Sequence, residues 1–215
     1  MRLYSSYFLQ NIYEMHMKTL QHFNSNQQNF RKVLTEIIFR EQSLQQRLMY
    51  LREISPNAYL SAGVVRNLVW SVLHEQNYDV IHSEIDVIFF DLRENDQHIS
   101  HEITRKLSQQ FPENTWDVVN QVYVHTWYKL ENGQPILPYS SLYDALATWP
   151  ETATAIAVRL LDNNELEIIA PFGLRDLFEL KLRWNDRLVS HDVFMQRVRS
   201  KRFLQRWSQL QLIDE

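Results

Sequence analysis

An apolar, β-branched and aromatic run over residues 83–91 carries two acids at alternate positions, Glu84 and Asp86. Strand side chains alternate between faces, so these acids project from one side and Ile85 and Val87 from the other, with the acids ~6.5–7 Å apart at Cα. A strand this apolar is expected to be buried. Two like charges on a buried strand are costly unless a cation or hydrogen bonds compensate them. The pair therefore reads as a cation site; the plainer alternative is charge placed on an edge strand to prevent association.

The rest of the chain is read around that strand. Residues 1–54 contain no Pro or Gly and carry apolar residues at helical spacing. Tyr7, Phe8, Ile12, Met15, Leu20 and Phe23 predict a first helix and residues 24–29 a break. Phe30, Val33, Leu34, Ile37, Ile38, Leu44, Leu48 and Leu51 predict further helices. Lys and Arg exceed Asp and Glu by seven to four in this segment. That excess fits a solvated helical face, with RNA or DNA binding as the sharper alternative.

After Ser55-Pro56 the pattern changes. A short strand is expected at 58–61, a turn at Gly63, and an amphipathic helix at 64–73. The acidic strand follows at 85–91, then a helix at 100–110 and a β-rich run at 116–125. A short helix at 140–148, a hairpin of 153–161 with 166–170, and helices at 174–182 and 192–207 complete the chain. The expected class is α+β with a mixed sheet, a helical N-terminal segment (1–56) and a main domain with a C-terminal helix (57–215).

Composition narrows the function classes. A chain of 215 residues supports one substantial core, and its 45% hydrophobic and 22% charged content is that of a globular protein. A net charge of −4 gives no general polyanion-binding footprint, and the lack of cysteine removes disulfides and thiolate metal sites. No apolar window is long enough to span a membrane, so a cytoplasmic location is expected. His98 and His101 share a helix face without a third ligand at metal-site spacing, and zinc is not expected. Asp91 reads as a turn residue and Asn120 as a buried amide bridging backbone groups, while His125 shares the face of Asp117 if the strand runs that far.

Three elements then fit one chemical scheme. Gly63 at a strand-to-helix turn leaves backbone amides free for phosphate oxygens, and Arg66 lies in the first helical turn beyond it. Glu84 and Asp86 suit a hard cation, Mg²⁺ or Mn²⁺. Asp117, between Trp116 and Val118, supplies an acid on a neighbouring strand and completes a two-ion site suited to nucleotidyl transfer.

Residues 62–67 (Ala-Gly-Val-Val-Arg-Asn), together with the acidic strand and Asp117, resemble the DNA polymerase β-type nucleotidyltransferase superfamily. The turn is similar to that of the tRNA CCA-adding and poly(A) polymerase class. With 119–121, 149–154 (Trp-Pro-Glu-Thr-Ala-Thr) and 170–178 added, the pattern resembles a bacterial family called nucleotidyltransferase-like over about residues 57–205. The resemblance implies a polymerase β-like core and transfer of a nucleoside monophosphate from an NTP to an acceptor hydroxyl of RNA, protein or a small molecule. It implies that Gly63 approaches the triphosphate, that Glu84, Asp86 and Asp117 bind the ions, and that Asp117 helps activate the hydroxyl; Arg66 and Asn67 are placed on the nucleotide side by their position beside Gly63. Ala62 replaces the first glycine of the family turn, Asn67 an acid, and Glu84 the usual Asp. A catalytically silent nucleotide-binding or interaction module on the same fold is the alternative.

Overall fold

Phe30, Val33, Leu34, Ile37 and Ile38 recur every three to four residues and form the buried face of α1 (Asn26–Arg40). The structure is a computed structural model that describes residues 26–94 and 96–213; the helix expected at 7–23 lies outside them. The expected break at 24–29 is corrected in part, since residues from Asn26 onward already belong to α1. The chain breaks instead at Glu41, whose carboxylate accepts from the Ser43 N–H and caps α2 (Gln42–Ile54). Leu44, Leu48 and Leu51 turn inward from α2 and join the same apolar cluster as α1.

The remaining elements are β1 (Tyr59–Ser61), α3 (Gly63–Leu73), β2 (Glu84–Phe89), α4 (His98–Gln110) and β3 (Thr115–Asn120), then α5 (Val124–Trp127), α6 (Leu142–Leu146), β4 (Ala157–Leu160) and β5 (Leu166–Ile169). They close with α7 (Arg175–Phe178), β6 (Lys181–Arg183), α8 (His191–Ser200), α9 (Phe203–Arg206) and β7 (Gln211–Ile213). Strands β3-β2-β1-β4-β5 form one five-stranded mixed sheet, and β6 pairs with β7 separately. Only β2 and β3 run parallel within the larger sheet; its other pairings are antiparallel. The fold is α+β, as expected.

Strand alternation sorts the sheet into two faces. Leu60, Ile85, Val87, Phe89 and Trp116 pack with α1, α2 and α3 in the main core, while Tyr59, Ile88 and Ala157 join a smaller cluster with Leu142 and Leu146 on the face that carries the acids. β2 is an inner strand with β1 and β3 on its flanks. The edge-strand reading of Glu84 and Asp86 therefore fails.

Several expected elements are shorter or different; the hairpin strand expected at 153–161 is confined to Ala157–Leu160 and the helix expected at 140–148 to Leu142–Leu146. The β-rich run at 116–125 ends at Asn120, where the side-chain Oδ1 accepts from the Val122 N–H and starts a 3₁₀ turn. His125 consequently lies on α5, off the face of Asp117. The helix expected at 174–182 stops at Phe178, and Leu180 with φ 55° turns the chain into β6. The C-terminal helix is likewise divided by Arg202 at φ 53°, and the chain continues into β7.

Candidate active site

Parity on β2 and register with β3 build the acidic edge. Asp86 is the Cα partner of Asp117 on one side and of Ser61 on the other. Asp86 and Asp117 thus face each other across a parallel pair, ~4.8 Å apart in the backbone, with Glu84 one alternation outward. Asp86 is partly buried, whereas Glu84 and Asp117 are exposed. Burial, then the charges of Asp117 and Glu84, push the Asp86 carboxyl up to about 6; a hydrogen bond from the Gly63 N–H and the charge of Arg66 oppose that rise. Desolvation and then Glu84 also raise Asp117. Asp86 and Asp117 are thus both made harder to ionise by burial and by neighbouring acids.

The turn before α3 brings an N-terminal helix amide against these acids. Its strained position is Ala62, at φ 55° and ψ −119°, a region that favours glycine; Gly63 itself is not in the left-handed region. Gly63 lies at the strand-to-helix turn, as expected, but the strain falls on Ala62, and Gly63 leaves room. A Cβ there would lie 3.8 Å from Asp86 Oδ2, 3.9 Å from Asn67 Nδ2 and 4.0 Å from Arg66 Nη2.

Arg66 is buried, and its guanidinium donates to Thr154 Oγ1 at 2.8 Å and to Asn67 Oδ1 at 3.0 Å. It also lies over the Phe203 ring, 4.6 Å from the centroid. Burial is the largest influence on it and pulls its pKa down to about 10. At 149–154, Thr154 holds Arg66, Thr152 Oγ1 donates to Asp176, and buried Glu151 pairs with Arg197. The motifs at 149–154 and 170–178 thus brace α3, α7 and α8 together.

Gly63, Arg66, Asn67, Glu84, Asp86 and Asp117 all line one cleft of about 590 Å³. Arg197 of α8, Arg206 of α9 and Lys201 between them line the same cleft. Sequence reasoning did not single out these cations. Arg197 and Lys201 are four residues apart, a helical spacing that marks a shared face, but nothing local says that this face joins the cleft. Trp207 and Phe203 dock this segment on Trp70 of α3, each with ring centroids 6.1 Å away. Asp91 and Asn120 take the expected structural roles: Asp91 accepts from the Arg93 backbone and side chain, and Asn120 bridges Asp91, Glu94 and Val122.

Among the described residues no group of three or more His, Cys, Asp or Glu side chains is placed to hold a metal ion by itself. The acids instead form an open, all-oxygen edge. Such an edge fits Mg²⁺ or Mn²⁺, which bind through one or two carboxylates together with substrate phosphates, and the mutual repulsion at Asp86 is what a cation would relieve.

The family model described as Nucleotidyltransferase matches residues 53–212. The chain belongs to that family. Among solved structures it is similar to one reported as "The NMR structure of the protein reveals a CCA-adding enzyme head domain", with TM-score 0.70 and 26% identity over 85% of this chain and 95% of that one. It is also similar in fold to a CCA-adding enzyme in complex with CTP (TM-score 0.55, 18% identity, 85% of this chain and 43% of that one). A CCA-adding enzyme in apo form II gives TM-score 0.55 and 16% identity, with 84% and 44% covered. The chain therefore spans under half the length of the latter two. No curated protein matches the sequence. Among the described residues no helix is long and apolar enough to cross a membrane.

Proposed function

We propose that this nucleotidyltransferase moves a nucleoside monophosphate from an NTP to an acceptor hydroxyl, using Mg²⁺ or Mn²⁺ held by Asp86, Asp117 and Glu84. One observation carries the reading: a single cleft is lined both by the acid edge with Gly63 and by Arg197, Lys201 and Arg206. Carboxylates alone would repel a triphosphate, and cations alone would bind it without promoting transfer. Together they divide the work.

The cleft cations and the start of α3 hold the β- and γ-phosphates, and the space beside Gly63 admits them close to Asp86. Arg66 adds its charge from beneath and fixes Asn67 at the mouth of the helix. The acceptor oxygen forms a bond to the α-phosphorus, the bond from that phosphorus to the α,β-bridging oxygen breaks, and pyrophosphate leaves. Asp117 accepts the hydroxyl proton. A bound divalent ion supplies charge neutralisation at the phosphates. The CTP bound by a CCA-adding enzyme of similar fold supports an NTP as donor.

Calorimetric titration of ATP, GTP, CTP and UTP with Mg²⁺ or Mn²⁺, on wild type and Asp86→Ala, tests the proposal. Metal-dependent binding of at least one NTP, lost in the variant, is expected. Wild type that binds none with either metal overturns it.

A further inference from the structure

The acid pair borders a second cavity, of about 220 Å³, on the same sheet face. Asp86 and Asp117 line both spaces, and the smaller one continues along the strands past Ile88 and Val119. Its far walls are aromatic, from Trp127, Tyr128, Tyr139 and Trp149. Trp127 is 58% exposed, unusual for so large an apolar ring, while Tyr139 is held by a 2.8 Å hydrogen bond to Thr148.

We infer that this cavity is the acceptor subsite and that it takes a small, ring-bearing alcohol without negative charge. The inference rests on the transferase reading above and specifies its acceptor. The position follows from the shared acids: a hydroxyl placed here lies beside Asp117, which also borders the triphosphate cleft. The ring follows from the aromatic walls, which offer flat faces for stacking. That the ligand is not an anion follows from the lining, which contains Asp86 and Asp117 and no Lys or Arg, whereas an RNA strand depends on such cations for its phosphates. The size follows from a volume below the roughly 300–1,000 Å³ of pockets for drug-sized ligands.

Saturation-transfer NMR on the full chain with 2-phenylethanol, adenosine, glycerol and a four-nucleotide RNA tests this. Trp127→Ala serves as the variant, because its exposed ring can be removed without opening the core. Saturable binding of 2-phenylethanol and adenosine is expected, weakened at least fivefold in Trp127→Ala, with calorimetric Mg²⁺–ATP binding unchanged in that variant. Glycerol binding as well as the ring alcohols, RNA competing with them more tightly than adenosine does, or ring binding indifferent to Trp127→Ala each overturns the acceptor assignment. Those results leave the transferase reading standing, since that reading falls only with the loss of metal-dependent NTP binding in wild type.

Discussion

Glu151 Oε1 accepts a hydrogen bond from Arg197 Nε at 2.5 Å, with the glutamate wholly buried and the Arg197 side chain 34% exposed. The contact ties α8, and with it the basic residues of the cleft, to the body of the fold. The other carboxylate oxygen of Glu151 is buried without a hydrogen-bond partner, so the pair is sensitive to which member is lost. Arg197→Ala leaves buried Glu151 without its direct partner, with only the charge of Arg66 nearby, and is expected to cost about 3–5 kcal/mol. Glu151→Gln keeps the shape and frees Arg197 to meet solvent, at about 1 kcal/mol. Urea unfolding of both variants checks the asymmetry, and equal losses would contradict it.

Ala62 and Gly63 make opposite predictions for adjacent positions. Ala62→Gly relieves the backbone at φ 55°, ψ −119°, a strain of about 1–3 kcal/mol less the ~0.5–1 kcal/mol entropic cost of glycine, so a net gain near 1 kcal/mol is expected. Gly63→Ala meets no atom closer than 3.8 Å and should fold normally, yet it fills the space beside Asp86. Mg²⁺–ATP binding is expected to weaken about tenfold, or ~1.4 kcal/mol. Thermal unfolding and calorimetry on the two variants separate the effects; a Gly63→Ala protein with normal nucleotide affinity would remove that residue from the site.

What the sequence discloses here is local periodicity, and what it hides is distant contact and backbone strain. The alternation of Glu84 and Asp86 with Ile85 and Val87 foretold their faces, and the helical spacing of Phe30 through Leu51 foretold a core surface, because each depends on residues a few positions apart. Asn120 overrode the strand propensity of Val122, Tyr123 and Val124 by capping the turn with its own side chain. Leu180 and Arg202 end their helices at positive φ without the glycine that usually marks such a stop. The basic residues lie 80 or more positions from the acids of the same cleft, and contacts between distant segments bring them together: Trp207 and Phe203 docking on Trp70, and Arg197 pairing with Glu151.

Lys201 is exposed at the cleft rim, so its charge can be reversed without disturbing the core. Lys201→Glu is expected to weaken Mg²⁺–ATP binding by roughly tenfold at low salt while shifting stability by no more than about 0.5 kcal/mol. The difference from wild type should shrink as ionic strength rises, since an exposed charge is screened over about 10 Å at 0.1 M salt. Titrations at two salt concentrations test this; a loss of affinity that ignores salt would point to a structural cause.

Asp86 sets function against stability. Its carboxyl titrates at about 6 in the folded chain, above the ordinary 3.8. The native state therefore holds that proton more tightly than the unfolded chain does, so the contribution favours folding at acid pH and is lost as pH rises from 3.8 to about 6. Asp86→Asn removes the charge that causes the loss. Without metal, the variant should match wild type near pH 4 and exceed it above pH 6, by up to about 3 kcal/mol for a shift of roughly two units. Mn²⁺ with ATP should reverse the order by stabilising wild type alone, with an affinity that tightens through pH 6 as the proton leaves. Melting curves from pH 4 to 8, with and without Mn²⁺–ATP, check both halves. If the two proteins melt together at pH 8 and respond equally to the nucleotide, Asp86 is neither the strained acid nor the metal ligand argued for here.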